Sequence, residues 1–233
     1  MDDRGGNTGT LSGGWNLSFE ILPAVVAAPS SLSYSINPAT YTLGAAITNT
    51  PTSTGGAVTS YSISSLPPAG LTFNTTTGII SGTPTTITSA TPYTVTAANS
   101  GGSTTVSLSI SVVSAYTAWA TQYSLVQGPT GDDDGDGNSN ILEFVTGMVP
   151  TNAASVFKTA VSAVPGQPNQ FAISLSPIIS GRTYTVKSTE SLTSGTWNAL
   201  TGSTTSDVGS QRTVIDTQAN GGSKFYTVEI SIP

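Results

Sequence analysis

Short runs in which apolar and polar residues alternate recur along most of this chain. Val106, Leu108, Ile110 and Val112 stand at every second position, as do Phe171, Ile173 and Leu175, and again Tyr226, Val228, Ile230 and Ile232. A period of two is that of a strand with one buried face. Punctuated by Pro, Gly and Asn, the same rhythm predicts strands over residues 32–36, 41–48, 58–64, 71–74, 79–82, 93–98 and 106–112, and Tyr184 with Val186 marks another. One stretch departs from it. Tyr116, Trp119, Tyr123 and Val126, and then Ile141, Phe144, Val145 and Met148, recur near helical spacing, with Gly147 as a stop and Pro150 beyond it. The pattern therefore predicts a mainly β chain. Two β-sandwich domains, residues 28–114 and 151–233, are joined by a short helix–loop–helix segment over residues 115–150.

Residues 1–27 carry one further strand, in which Trp15, Leu17, Phe19 and Ile21 share a face. A lone strand cannot bury that face by itself. It reads as the end of a preceding domain, as an extra edge strand on the next one, or as a donor strand. In the last case residues 13–22 would add to an exposed sheet edge of a neighbouring copy and link chains into fibres.

Charge changes the picture at one place. The chain has 12 acidic and 6 basic residues, and its net charge of −6 comes mostly from D-D-D-G-D-G-N-S-N-I-L-E, residues 132–143. Carboxylates this close repel one another unless a cation joins them. The spacing meets D-x-[DN]-x-[DN]-G-x5-E, the calcium loop of the EF-hand type. Asp132, Asp134 and Asp136 stand at positions 1, 3 and 5, and Gly137 at the sharp turn of position 6. Asn138 at position 7 would offer its backbone carbonyl, Asn140 at 9 its side chain or a water, and Glu143 at 12 a bidentate carboxylate. Asp133, at position 2, points away in such loops. An all-oxygen donor set suits Ca2+, with Mg2+ as second choice, and excludes soft-metal chemistry.

Several stretches carry resemblances. About seven strands in under 90 residues suit an immunoglobulin-like sandwich. L-P-P-A-G-L-T-F-N-T-T-T-G-I-I-S-G-T-P, residues 66–84, followed by Y-T-V-T-A-A-N-S-G-G-S-T-T-V-S-L-S-I-S-V, residues 93–112, closely resembles the immunoglobulin-like domain repeated in bacterial surface proteins. That resemblance implies a spacer or adhesive domain without catalysis. The run from Trp119 to Glu143 resembles the single calcium loops shared with dockerins and thrombospondin type 3 repeats. A dockerin has two loops and this chain has one, so cohesin binding is not implied. Residues 181–200, with F-Y-T-V-E-I near the end, resemble the small C-terminal β-domain that often follows such a loop. G-N-T-G-T-L-S-G-G-W-N-L-S-F resembles the last hairpin of P-domain-like sandwiches.

Enzyme chemistry is poorly served. The chain has no His and no Cys, which removes Ser-His-Asp triads, Cys-His pairs, disulfides and His/Cys zinc sites. Glu20, Glu190, Asp207, Asp216 and Glu229 are scattered and read as solvated surface acids. Trp15 and Trp119 read as core. Trp197 is the candidate for stacking on a glycan, and Lys158, Lys187 and Lys224 raise the question of isopeptide crosslinks. The acidic balance argues against nucleic acid. The longest apolar run, residues 21–28, is well short of the ~20 residues a membrane span needs. No leader is evident in M-D-D-R-G-G, and the chain reads as a piece of a longer bacterial extracellular or cell-surface protein. The expected function is a non-enzymatic calcium-binding structural or adhesive segment whose calcium stiffens the junction between two sandwiches. The alternatives are the strand-donating fibre subunit and a carbohydrate-binding module of a larger secreted enzyme. The expected partners are calcium, other copies of the chain, or surface glycans.

Overall fold

The computed structural model describes residues 24–193, 195–219 and 222–232, together with the backbone of residues 10–11 and 15–16. Two compact units meet at one chain boundary, residues 1–114 and residues 115–233. The first opens with a two-residue ladder between β1 (Thr10–Leu11) and β2 (Trp15–Asn16). The rest of the strand expected over residues 15–21 lies outside the described residues.

A sandwich follows, built from β3 (Pro29–Tyr34), β4 (Ala39–Thr42), β5 (Ile47–Asn49), β6 (Pro51–Gly55), β7 (Ser60–Ile63), β8 (Leu71–Phe73), β9 (Ile80–Gly82), β10 (Thr88–Asn99) and β11 (Gly102–Val113). One sheet runs β4-β11-β10-β7, and β3-β6 and β5-β9-β8 supply the other side. All of these pairs are antiparallel except β4 with β11, which is parallel. The inward positions of β10 (Tyr93, Val95, Ala97) and of β11 (Leu108, Ile110) meet Leu32, Tyr34, Leu71 and Ile80 in one buried cluster. This is the mainly β, immunoglobulin-like architecture that the alternation implies.

Two details differ from expectation. Residues 41–48 are not one strand. The chain turns after β4 at Gly44, whose φ is +77°, and β5 joins the opposite sheet. β6, P-T-S-T-G, has no apolar alternation to announce it. Cross-strand hydroxyl pairs hold it to β3 instead, Ser33 to Thr52 and Ser30 to Thr54, both at 2.9 Å. Between the sheets lies Asn49, fully buried. Its amide donates to the Ile36 carbonyl and the Tyr41 hydroxyl, and its Oδ1 accepts from Ser35 Oγ and the Ile36 amide. A buried amide satisfied on both ends fixes the path of the chain between β3 and β4.

The Gly-rich signature of residues 66–84 does structural work. Gly70 has φ +88°, and a Cβ there would sit 2.0 Å from the Thr83 carbonyl oxygen. Asn74 Oδ1 accepts from the amides of Thr76 and Thr77, making the turn that returns the chain to Gly78. The signature is thus explained by backbone geometry.

The second unit contains α1 (Ala115–Gln122), α2 (Asn140–Thr146), β12 (Lys158–Ala163), β13 (Phe171–Ser176), β14 (Thr183–Thr189), β15 (Asn198–Ala199), β16 (Ser203–Val208), β17 (Gln211–Asp216) and β18 (Phe225–Ser231). A four-stranded sheet, β12-β13-β17-β16, packs on a three-stranded one, β15-β14-β18, around Ile173, Leu175, Val186 and Val214. Ile232, expected on the inward face of the last strand, lies beyond it and is 40% exposed. β12 and β16 escape the alternation rule because both are edge strands, exposed throughout β12 and nearly throughout β16.

Candidate metal centre

The loop of residues 132–143 sits between two short helices of the second unit. α1 ends at Gln122, and Ser124 takes a left-handed φ of +56°. Val126 therefore falls outside the helix its spacing suggested and is 90% exposed. Trp119 and Tyr116 of α1 pack on Phe144 of α2, with ring centroids 5.3 and 5.6 Å apart, so an aromatic cluster clasps the helices together. Ser139 Oγ accepts from the Leu142 amide at the start of α2, and Gly147, with φ +79°, ends it. The side of α2 that is buried is polar: Asn140, Glu143 and Thr146. A short helix with that burial is shaped by what its polar side meets.

Within the loop, carboxylate oxygens of Asp132, Asp134 and Asp136 lie within 4.8 Å of one another. Backbone amides hold Asp132: Oδ1 accepts from Gly135 at 2.8 Å and Asp136 at 3.3 Å, and Oδ2 from Gly137 at 2.8 Å. Gly137, at position 6, has φ +93°, the left-handed turn that favours glycine there. Asp136 Oδ1 accepts from the Asn138 amide at 2.6 Å. Asp134 Oδ2, Asp136 Oδ2 and both carboxylate oxygens of Glu143 are buried without any hydrogen-bond partner in the protein. Glu143 is itself fully buried. Buried carboxylate oxygens without donors are costly, and four of them at positions 3, 5 and 12 fit a hard cation, although the group within 4.8 Å comprises Asp132, Asp134 and Asp136 without Glu143.

The electrostatics agree. Burial, and then the charges of Asp134, Asp136, Asp132 and Asp133, push the Glu143 carboxyl up to about 7. Burial and the Asp136 charge also raise Asp134. Asp132 is held below the usual carboxylate range, first by the Gly137 amide and then by those of Gly135 and Asp136. The loop thus holds several negative charges with no basic side chain bonded to it among the described residues.

Asn138, at position 7, is buried. Asn140 does something other than its position-9 role. Its amide nitrogen donates to the carbonyls of Gln127 and Gly128 and to Asp133 Oδ1, and its Oδ1 accepts from the Asp133 amide at 3.3 Å. It braces the loop from behind. Asp133 faces the same brace and also accepts from the amides of Val126 and Gln127. Gln127 completes it, donating to the Asp132 carbonyl at 2.6 Å. Spacing alone gave no sign of Gln127, because its partners arise from the fold of residues 124–131.

Arg182 is a second residue the motif did not announce. Its Nε donates to the Val145 carbonyl at 2.6 Å and its Nη2 to the Phe144 carbonyl at 3.3 Å, which caps the last turn of α2 from the approach to β14. Arg182→Ala is expected to cost about 1–2 kcal/mol, measured by denaturant unfolding, since it removes two charge-assisted bonds.

Outside the loop, Asp216 corrects the expectation of solvated acids. It is fully buried: Oδ1 accepts from the Gln218 amide at 2.9 Å, and Oδ2 accepts from Tyr226 Oη at 2.8 Å and pairs with Lys224 Nζ. Lys187 is paired with Glu229 and Lys224 with Asp216, so two of the three candidate crosslinking lysines are held in ion pairs. Trp197 is half-buried.

Residues 22–115 match the family described as "Putative Ig domain". Domains of that kind are generally non-catalytic. No curated protein matches the chain. Among solved structures, a "putative alpha-galactosidase" from Bacteroides fragilis is similar over 40% of this chain and 19% of its own, at 23% identity and a TM-score of 0.32. The chain therefore spans about a fifth of that protein's length. The titin domains Z1Z2, solved in complex with telethonin, are similar over 86% of this chain and 93% of their own, at 12% identity and a TM-score of 0.30. Domains 4–9 of the surface layer protein SbsC are similar over 92% of this chain and 30% of their own, at 11% identity and a TM-score of 0.27. Among the described residues, no helix is long and apolar enough to cross a membrane.

Proposed function

We propose that this chain is a non-enzymatic, calcium-binding structural segment of an extracellular or cell-surface protein. Asp132, Asp134, Asp136, Glu143 and the Asn138 carbonyl would hold one Ca2+. The observation that carries this reading is Glu143, buried with both oxygens unpartnered and feeling the charges of Asp134 and Asp136, each of which also has a buried, unpartnered oxygen. A lone loop of this type binds weakly, with a Kd of order 10–100 µM or above. It would be filled at millimolar calcium, which fits the space outside cells. β11 ends at Val113 and α1 begins at Ala115, so the chain passes almost directly from the first sandwich into the segment calcium would order. Ordering it would stiffen that passage, which suits a spacer. The test is calorimetric titration of Ca2+ into chelator-stripped protein. One site is expected, lost in Glu143→Gln and in Asp132→Ala. Undiminished uptake by Glu143→Gln would defeat the assignment.

A further inference from the structure

The sandwich of the second unit is one strand short on one side. Its sheets hold four and three strands. At one edge β12, which pairs only with β13 among the described residues, overhangs β18, which pairs only with β14. Each residue of β12 is exposed, and Val161 on it is 52% exposed. In a closed sandwich the inward side of such a strand would be covered. Between the two edges runs a groove of roughly 370 Å³, with Phe157 and Val161 on one wall, Val228 and Ile230 on the other and Ile173 at its floor. A second cavity of roughly 290 Å³ extends it past Val161 to Phe171 and Phe225. Tyr226, Val228 and Ile230 of β18 stay only half-buried, and Asn138 and Leu142, from the loop and α2, line the groove at one end.

We propose that this groove is an acceptor site for one β-strand, and that its occupant is residues 15–21 of a second copy of the chain. β18 is seven residues long and is paired on one side only among the described residues, and the segment W-N-L-S-F-E-I supplies seven. Its four apolar residues, Trp15, Leu17, Phe19 and Ile21, fall at every second position, the spacing at which a strand beside β18 would turn them onto the floor and β12. Asn16, Ser18 and Glu20 would face water. Trp15 and Asn16, the described residues of this segment, pair with Leu11 and Thr10 in a two-residue ladder. Docking would pair the edge of β18 and bury four large apolar side chains. Because donor and acceptor lie on different parts of one chain, the contact is head-to-tail and extends into filaments. The groove borders the proposed calcium loop at Asn138, so association is measured with calcium present.

Sedimentation velocity of the full chain across the micromolar range tests this, in calcium-containing buffer. The wild type is expected to grow with concentration. Phe19→Lys removes the donor and Val161→Lys blocks the groove, so each is expected to stay monomeric with wild-type circular dichroism. Thr159→Lys, also exposed on β12, replaces Val161→Lys if the latter fails to fold. A mixture of the donor and groove variants retains one intact half of each kind, and is expected to form a 1:1 dimer that grows no further. A wild type that stays monomeric overturns the proposal, whether its groove is empty or filled from within. Association that survives both variants, or a mixture that stays monomeric, overturns it too.

Discussion

Calcium is expected to raise the melting temperature of the chelator-stripped protein, and Glu143→Gln to invert the order of the two proteins. A ligand that binds only the folded state stabilises it by RT ln(1 + [L]/Kd), about 1.4–2.7 kcal/mol at millimolar calcium for a Kd of 10–100 µM. For a unit of this size that is a shift of roughly 5–15 °C. Glu143→Gln removes the position-12 carboxylate, and with it the shift. Without calcium the same substitution removes a buried charge that has no partner and that Asp134, Asp136 and Asp132 repel. The variant should then melt above the wild type in chelator and below it in calcium. A role in packing alone cannot produce that crossing, because lost packing lowers both curves. Scanning calorimetry of the two proteins in both buffers checks it.

The same carboxyl gives a pH dependence. In the folded, calcium-free chain Glu143 is pushed up to about 7, from an ordinary value of 4.5. Between those values the folded state holds a proton that the unfolded state has released. Its contribution is therefore complete below pH 4.5 and is lost as the pH rises through 7. Chelator-stripped protein should be more stable at pH 5 than at pH 8, and calcium should erase the difference.

Spacing made the acidic loop legible because its candidate donors lie within twelve residues and their turn chemistry is local: Asp132, Asp134, Asp136, Gly137 and Glu143 are set by one short stretch. The hydrogen bonds of Asn140 were not legible for the same reason. Position alone assigns it a donor role, whereas its side chain turns to the Gln127–Asp133 brace, which only the folded path of residues 124–131 creates. The long strands β10 and β11 were plain because one face of each is buried. β6, β12 and β16 were not, since a strand held by hydroxyl pairs or lying at an open edge has no need of alternating apolar residues. Asp216 was hidden most deeply. Its place in sequence, at the end of a strand, is where a surface acid would also stand, and its three partners come from the turn after β17 and from β18.

Asp216→Ala should unfold the second unit more readily than any single change within residues 132–143. The carboxylate is fully buried. Burial pushes its pKa up, but the Lys224 ammonium, the Gln218 amide and the Tyr226 hydroxyl together hold it below the ordinary value of 3.8. Removing it strands an ammonium at the sandwich edge and a hydroxyl and an amide without acceptors. Breaking one side of a buried pair in this way costs about 3–5 kcal/mol. The lower figure is expected here, since Lys224 keeps 21% of its side chain in water and can turn outward. Asp216→Asn should cost less, because an amide oxygen still accepts from Tyr226 and Gln218. The sign of the pH effect is opposite to that of Glu143. With a lowered folded value, the contribution of Asp216 is present above pH 3.8 and fades as acid carries the pH through that value and below it. Urea melts at pH 7 and pH 3 separate the two carboxylates: Asp216→Ala should lose most at pH 7 and approach the wild type at pH 3. A similar loss at both pH values would mean that packing at the end of β17, and not the charge, is what the carboxylate supplies.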